Sequence, residues 1–300
     1  ERARDGDYAL RDLSALRTNE YETQRDYEGE TERDILGATF IARRETGRLS
    51  LTSTTGLVSW STADTTDLDY TPFDLVRRAN DEDAMQFTQE LRLASAPGSP
   101  IRFSDAAALR WQTGVVLFTQ AYEQNAVNSY APGLLSEFLP FPISQTSPQA
   151  ELDHFGFGAY AQGTLTLNDR LDITLGARFD HESKDASLDT FFDPQIAPPT
   201  SVNESETYSQ VSPQFAIAYA VAPSTMAYVS GGAGYKSGGF NPASPAGSEA
   251  YGEEKTWHVE GGVKSTWAAG RVTANASVFF IDWDDLRLKV PTPFVPGRFF

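Results

Sequence analysis

The stretch 227–245, AYVSGGAGYKSGGFNPASP, gathers glycines, a lysine and a serine, the ingredients of a phosphate-binding loop. A P-loop closes its amides around phosphate in the frame G-x-x-x-x-G-K-[ST], with glycine directly before the lysine. Tyr235 holds that place before Lys236, and its ring would stand where phosphate must approach. The dinucleotide frame G-x-G-x-x-G fails as well, because Gly232 and Gly234 are followed by Ser237. Pro242 and Pro245 come next, and both break helices. Nucleotide chemistry is rejected.

Other chemistry is equally thin. His154, His181 and His258 stand far apart without an H-x-x-x-H pairing, and the absence of cysteine removes thiolate ligands and disulfides. No metal site and no cofactor is expected. Asp282, Asp284 and Asp285 cluster carboxylates around Trp283, but adjacent residues of a strand point to opposite faces, which suits a solvated strand end. No Ser-His-Asp order emerges, so no catalytic residue is assigned and no enzyme is expected.

The elements around these residues are more telling. In LDITLGARFDHE, Leu171, Ile173, Leu175, Ala177 and Phe179 share one face, and Asp172, Thr174, Gly176, Arg178, Asp180 and Glu182 share the other. The apolar positions recur at i, i+2, i+4, which is a strand period and not a helical one. Phe155, Phe157, Ala159, Ala161 and Leu165 oppose His154, Tyr160, Gln162 and Thr164 in the same way. Val272, Ala274, Ala276, Val278 and Phe280 oppose Arg271, Thr273, Asn275 and Ser277. The opening stretch obeys the rule too. Thr225, Ala227, Val229, Ala233 and Tyr235 lie opposite Tyr228, Ser230, Gly232, Gly234 and Lys236, so Lys236 belongs to the polar face near a strand's end.

Ten strands are expected, at 34–43, 48–62, 84–95, 102–120, 152–167, 170–185, 207–221, 224–238, 254–267 and 270–287. Most exceed the ~5–6 residues usual in globular sheets. Short turns at 45–47, 96–100, 168–169, 222–224 and 268–270 alternate with long polar or Pro-rich loops at 63–83, 121–151, 186–206 and 239–253. Long two-faced strands with alternating short and long connections suit an antiparallel transmembrane β-barrel, with turns on the periplasmic side and loops outside. The long loops should leave one edge of an open, curved sheet and the turns the other. Phe155, Phe157, Phe179, Tyr235, Trp257 and Phe280 are candidates for an outer aromatic girdle.

Composition agrees. The chain has 300 residues, 24 basic against 41 acidic, for a formal net charge of −17, which argues against a nucleic-acid partner. No apolar run approaches the ~18 residues of a membrane helix. ERARDGDYAL reads as mid-protein sequence and FVPGRFF carries no recognisable terminal signal, so a piece of a longer chain is expected.

The segments QFTQELRLAS, GAYAQGTLTLNDRLDITLGARFDHESKD and SPQFAIAYAVAPSTMAYVSGGAGYKSGGFNP resemble the barrel of TonB-dependent outer-membrane receptors, and LDYTPFDLVRR before FTQELRLAS resembles its siderophore-receptor-like branch. YKSGGFN, from Tyr235 to Asn241, followed by Glu254, Glu260, Gly262 and Lys264, is similar to a barrel signature of that family. The resemblance covers roughly residues 20–290. It implies a 22-stranded barrel of which about ten strands are here, with the plug domain absent and residues 1–300 forming a partial barrel domain. It implies a Gram-negative outer-membrane location, with lipid, a TonB complex reached through the missing N-terminal region, and a ferric siderophore as partners. Uptake of cobalamin, a glycan or another metal complex is the alternative, ahead of a passive porin or a barrel enzyme. Tyr122, Tyr130, Phe191, Phe192 and Phe240 are candidates to grip the ligand, with Lys236 attracting an anionic complex at the rim. Gly231, Gly232 and Gly234 depart from the family's bulkier residues and would leave room for a packed plug.

Overall fold

A computed structural model describes residues 2–5, 25–242, 244 and 247–287; Pro245 and both ends of the chain, including FVPGRFF, lie outside the described residues. The elements are β1 (Arg2–Asp5), β2 (Glu30–Thr46), β3 (Leu49–Asp67), β4 (Val76–Ser95), β5 (Ile101–Ser104), β6 (Ala107–Tyr130) and β7 (Ile143–Leu167). They continue with β8 (Leu171–Asp193), β9 (Thr200–Ala222), β10 (Thr225–Lys236), β11 (Gly239–Phe240), β12 (Ala250–Tyr251), β13 (Glu254–Trp267) and β14 (Val272–Asp284). Among the described residues there is no helix.

Twelve strands form one open antiparallel sheet in the order β1-β2-β3-β4-β6-β7-β8-β9-β10-β13-β14, with β5 paired to β6 alone. Sequence neighbours are therefore neighbours in space, as consecutive hairpins require. β11 and β12 form a separate two-stranded ribbon. All ten expected strands are present. Two local features differ from the expectation: β5 is a short flap that turns at Asp105–Ala106 onto the start of β6, and the loop 239–253 carries the β11–β12 ribbon.

The larger difference is length. Strands β6, β7, β8 and β9 run for 24, 25, 23 and 23 residues. Much of 76–83, 121–130, 143–151, 186–193 and 200–206, expected as loop, continues the ladder. The apolar alternation fades there because the outer face no longer meets lipid, while backbone pairing needs no apolar face to persist. The true loops shrink to 68–75, 131–142, 194–199 and 237–253. They alternate along the chain with the tight turns, as anticipated. At the turn after β7, Asn168 and Asp169 both take φ of 51°, the left-handed geometry that Asn and Asp adopt more readily than other non-glycine residues.

Directly opposed residues in an antiparallel sheet share a face, so the registers carry one parity around the wall. Leu93 opposes Thr113, Leu117 opposes Phe157, Leu175 opposes Phe215, and Val259 opposes Phe280. That outer face is a continuous apolar band with many exposed members, Leu175 at 64% among them. Five of the six aromatics proposed for the girdle fall on it, the Tyr235 hydroxyl being buried near the inner-face Glu182 and Asp180, and the rings of Phe157 and Phe179 meet edge to face at 5.8 Å. Above them the same face turns acidic. Asp83 opposes Glu123, which opposes Glu151, and Asp153 opposes Asp185 in the next row. This abrupt change marks where lipid ends and water begins.

The opposite face is polar and lines the hollows of the sheet, with His154, Arg178, Asp180 and Glu182 around one and Glu90, Tyr160, Gln162 and Gln214 around another. Inward room is made by glycine. A Cβ at Gly114 would stand 2.7 Å from Tyr160 Cζ, so the ring lies across the glycine and its hydroxyl donates to Glu90 at 2.6 Å. Gly231 differs from the expectation. It faces outward, and the ring of Phe215 fills its space.

The band makes a graded demand on substitutions. Leu175→Arg, mid-band on the lipid face, should cost the full-length protein about 2–4 kcal/mol. Gln162→Arg, on the inner face, should cost much less. Denaturant titration of both variants in bilayers measures the difference. The alternation also sets topology, and these 300 residues carry no cysteine of their own to compete with an introduced one. A cysteine at Ser136 should react with an impermeant maleimide on intact cells, and one at Asp105 only after the outer membrane is opened.

Candidate functional site

Functional groups concentrate on the inner face of the outer half, above the level of Tyr160. A first patch spans β3, β4, β6 and β7. Asn80 Nδ2 donates to Asp64 at 3.1 Å and to Glu82 at 2.9 Å, and Gln124 donates to Asn80 Oδ1 at 2.7 Å. Arg78 donates to Asn128 Oδ1 at 3.2 Å and to the Ser147 carbonyl at 3.4 Å. Tyr122 lies in the same inward row as Gln124, and Tyr130 donates to Gln145 at 2.9 Å. A bulge in β7 places Gln145 here. Ser147 and Pro148 stand between the paired Thr146 and Gln149 where β6 has Ala126 alone, one residue more, so inward parity switches from even to odd numbers below 147. Proline, lacking an N–H, fits such a position.

A second patch is built by the loop 237–253, which folds back over the wall. Phe240, 8% exposed, packs on Ala150, Ala186 and Leu188, with Leu152 and Val202 alongside. Asn241 N–H donates to the Glu249 carbonyl at 2.7 Å, closing the ribbon. The loop's root is held by charge. Lys184 Nζ donates to Ser237 Oγ and to the Gly238 carbonyl, both at 2.7 Å, while Glu182 lies 3.6 Å from the same ammonium. His154 and Glu182 meet at 2.9 Å. Arg287 donates to the Ser237 carbonyl at 3.0 Å, pairs with Glu254 at 3.2 Å and stacks over Tyr251 at 4.2 Å. Lys236 ends β10 on the inner face with its side chain 69% exposed, and its ammonium lies 3.8 Å from Glu254, itself buried.

The six residues proposed as ligand contacts therefore take distinct places. Tyr122 and Tyr130 share the first patch, and Phe192 opposes Gln145 beside it. Tyr122 opposes Leu152, which touches the Phe240 cluster, so the two patches are contiguous. Phe240 serves as a packing anchor for its loop. Phe191 points to the other face and does not join the group. Lys236 is a rim charge already engaged by a carboxylate. Sequence reading missed Arg78, Lys184 and Arg287. Lys184 was accessible, since it continues the row Asp180, Glu182; Arg287 carried no signal.

An open wall with a lipid-sized apolar outer band and a hydrogen-bonding inner face is a segment of an outer-membrane β-barrel. The family model described as TonB dependent receptor-like, beta-barrel, matches residues 2–299. The chain belongs to that family and to the outer membrane of Gram-negative bacteria. Its fold is similar to the ferric yersiniabactin uptake receptor FyuA from Yersinia pestis, with a TM-score of 0.71 and 20% identity, covering 87% of this chain and 38% of that one. The ferric-catecholate import receptor Fiu from E. coli K12 is similar at 0.63 and 14%, covering 92% and 44%. The copper transporter OprC is similar at 0.58 and 16%, covering 88% and 40%. The chain spans less than half the length of these receptors.

The ribbon's anchor sets its stability. Phe240→Ala should lower the local opening free energy of the loop by about 3 kcal/mol, the scale of a truncated buried ring. Hydrogen exchange of the Asn241 amide should then accelerate roughly 100-fold while amides of mid-strand β8 stay protected.

Proposed function

We propose that the parent protein is an active transporter that takes up a ferric siderophore across the outer membrane, driven through TonB. The observation that carries this reading is the inner wall of a TonB-dependent receptor barrel, furnished at its outer half with phenols, carboxamides and paired charges. Such groups bind and release a bulky polar complex by hydrogen bonds and electrostatic steering. Tyr122, Tyr130, Phe192 and Lys236 are the contacts we assign to the ligand, with Arg78 as an added donor. Similarity to receptors whose cargo is a ferric siderophore supports iron as cargo. Similarity to a copper transporter keeps another metal complex as the second reading. No bond chemistry is assigned to the wall; the work is capture and passage.

The test is uptake by cells under iron limitation. Radiolabelled iron supplied as a panel of siderophores should accumulate only when the full-length gene and TonB are both present. Accumulation of cobalamin or copper instead, with no siderophore transported, would replace the siderophore reading. Lys236→Gln should slow uptake by a few-fold, more at low salt than at high, where charge steering is screened.

A further inference from the structure

At the outer rim, where β3 gives way to the loop 68–75, three carboxylates converge. Asp26, Asp67 and Asp69 each bring an oxygen within 4.8 Å of the others. Asp67 is fully buried, at 0% exposure. Its Oδ1 accepts the N–H groups of Asp69 at 3.1 Å and Tyr70 at 3.0 Å. Its Oδ2 is buried and meets no hydrogen-bond donor. Native interiors rarely leave such an oxygen unpartnered, and a second and third carboxylate beside it sharpen the problem. Burial above all, then the charges of Asp69 and Asp26, push the Asp67 carboxyl above the ordinary aspartate range, against the pull of its two N–H donors.

The other two aspartates have their own roles. Asp69 shapes the turn, taking the Thr71 N–H at 3.0 Å on Oδ1 and the Val76 N–H at 2.8 Å on Oδ2. Asp26 comes from the segment ahead of β2, where its N–H donates to the Thr71 carbonyl at 3.1 Å and its Oδ2 takes the Arg77 guanidinium at 2.8 Å. Arg77 is also paired with Asp74 at 3.1 Å and lies over the Tyr27 ring at 4.6 Å. Arg77 thus pairs with two of the four carboxylates gathered here, Asp26 and Asp74.

We propose that Asp26, Asp67 and Asp69 form a cation site that takes Ca²⁺ and clamps the loop 68–75 to the segment before β2. The donors are all hard carboxylate oxygens, which Ca²⁺ accepts in sets of six to eight with flexible geometry. Ligand oxygens on one Ca²⁺, each ~2.3–2.6 Å from the ion, lie no more than about 5 Å apart, and these three are all within 4.8 Å of one another. Mg²⁺ demands a near-ideal octahedron and gives up its waters reluctantly, and Zn²⁺ favours nitrogen and sulfur. The D-x-D spacing of Asp67 and Asp69 is the sequence trace of the site.

Tb³⁺, a Ca²⁺ surrogate excited through nearby Tyr27 and Tyr70, provides the readout on the chelator-treated full-length receptor in detergent. Emission should be saturable and displaced by Ca²⁺ with a half-point of roughly 0.1–1 mM, the range of extracellular calcium modules. Asp67→Asn keeps Oδ1 for the turn and removes the charge, so it should weaken Ca²⁺ at least ~10-fold. Asp26→Asn, outside the turn, should weaken it as well and serves if the first variant misfolds. Asp83→Asn, in the acidic rows of the outer face, should change nothing. The site is overturned if no saturable displacement occurs, if Asp67→Asn and Asp26→Asn both bind as the parent does, or if Asp83→Asn is as damaging. Equal displacement by Mg²⁺ would overturn the assignment to Ca²⁺.

Discussion

Within lipid no water is available to satisfy a backbone amide, so the unbroken antiparallel ladder is the constraint on which this structure rests. Every pairing from β2 to β14 is a neighbour-to-neighbour hairpin with long, nearly continuous register. Once the ladder is fixed, side chains have two destinations, and the period of two sorts them into a lipid face and an inner face. The cost of a register slip is the inversion of an entire strand, which is why Leu175 and Arg178 report on the same decision. Where β7 bulges, between Thr146 and Gln149, its one extra residue lies in the outer half of the hairpin and not in the apolar band, and Pro148 there is buried.

Freed from lipid, the outer half of the wall is used differently. Its inner face buries small residues, Ala150 and Ala186 among them, because a loop has returned to cover them. Phe240 supplies the apolar contact, and Lys184, Arg287 and Glu254 tie the loop's root. Two cations and a carboxylate that would be costly alone are tolerable here because each meets a partner or a carbonyl. Close approach of Ser237–Gly238 to the wall depends on glycine. A Cβ on Gly238 would overlap the Tyr208 ring and the Tyr251 carbonyl. The small residues of YKSGGFN thus serve packing, the opposite of the phosphate cradle their composition suggests.

Much of this was legible in the residues themselves. Leu171, Ile173, Leu175 and Phe179 announced strand, face and membrane together, since burial in lipid demands apolar residues at every second position. Beyond the lipid the signal vanished. In 186–193 and 200–206 the outer face is wet and the inner face is covered only locally, at Ala186, Leu188 and Val202, so the period faded although the ladder continued. Phe191 and Phe192 show the consequence: being adjacent, they could not both be ligand contacts, yet without knowing that β8 reached them parity could not be applied. The ribbon at Phe240 was hidden for another reason. Its partners Ala150, Ala186 and Leu188 lie far away in sequence, and only the folded wall brings them beneath one ring.

The distribution of charge carries the last step. A net charge of −17 seems ill suited to attracting an anionic complex. Yet the outward rows hold Asp81, Asp83, Glu123, Glu151, Asp153 and Asp185, facing bulk water away from the lumen. Opposed like charges such as Asp83, Glu123 and Glu151 cost each strand pair a little, and screening in water keeps that cost small. On the inner face acids alternate with Arg78, Arg92, Arg178, Lys184 and Lys236, and most of them are paired. The field felt by a ligand inside the mouth is set by these nearby groups, since charges beyond a Debye length of ~8 Å are largely screened. Whole-chain charge therefore describes the surface that meets the medium, while the balanced inner wall decides what can be held.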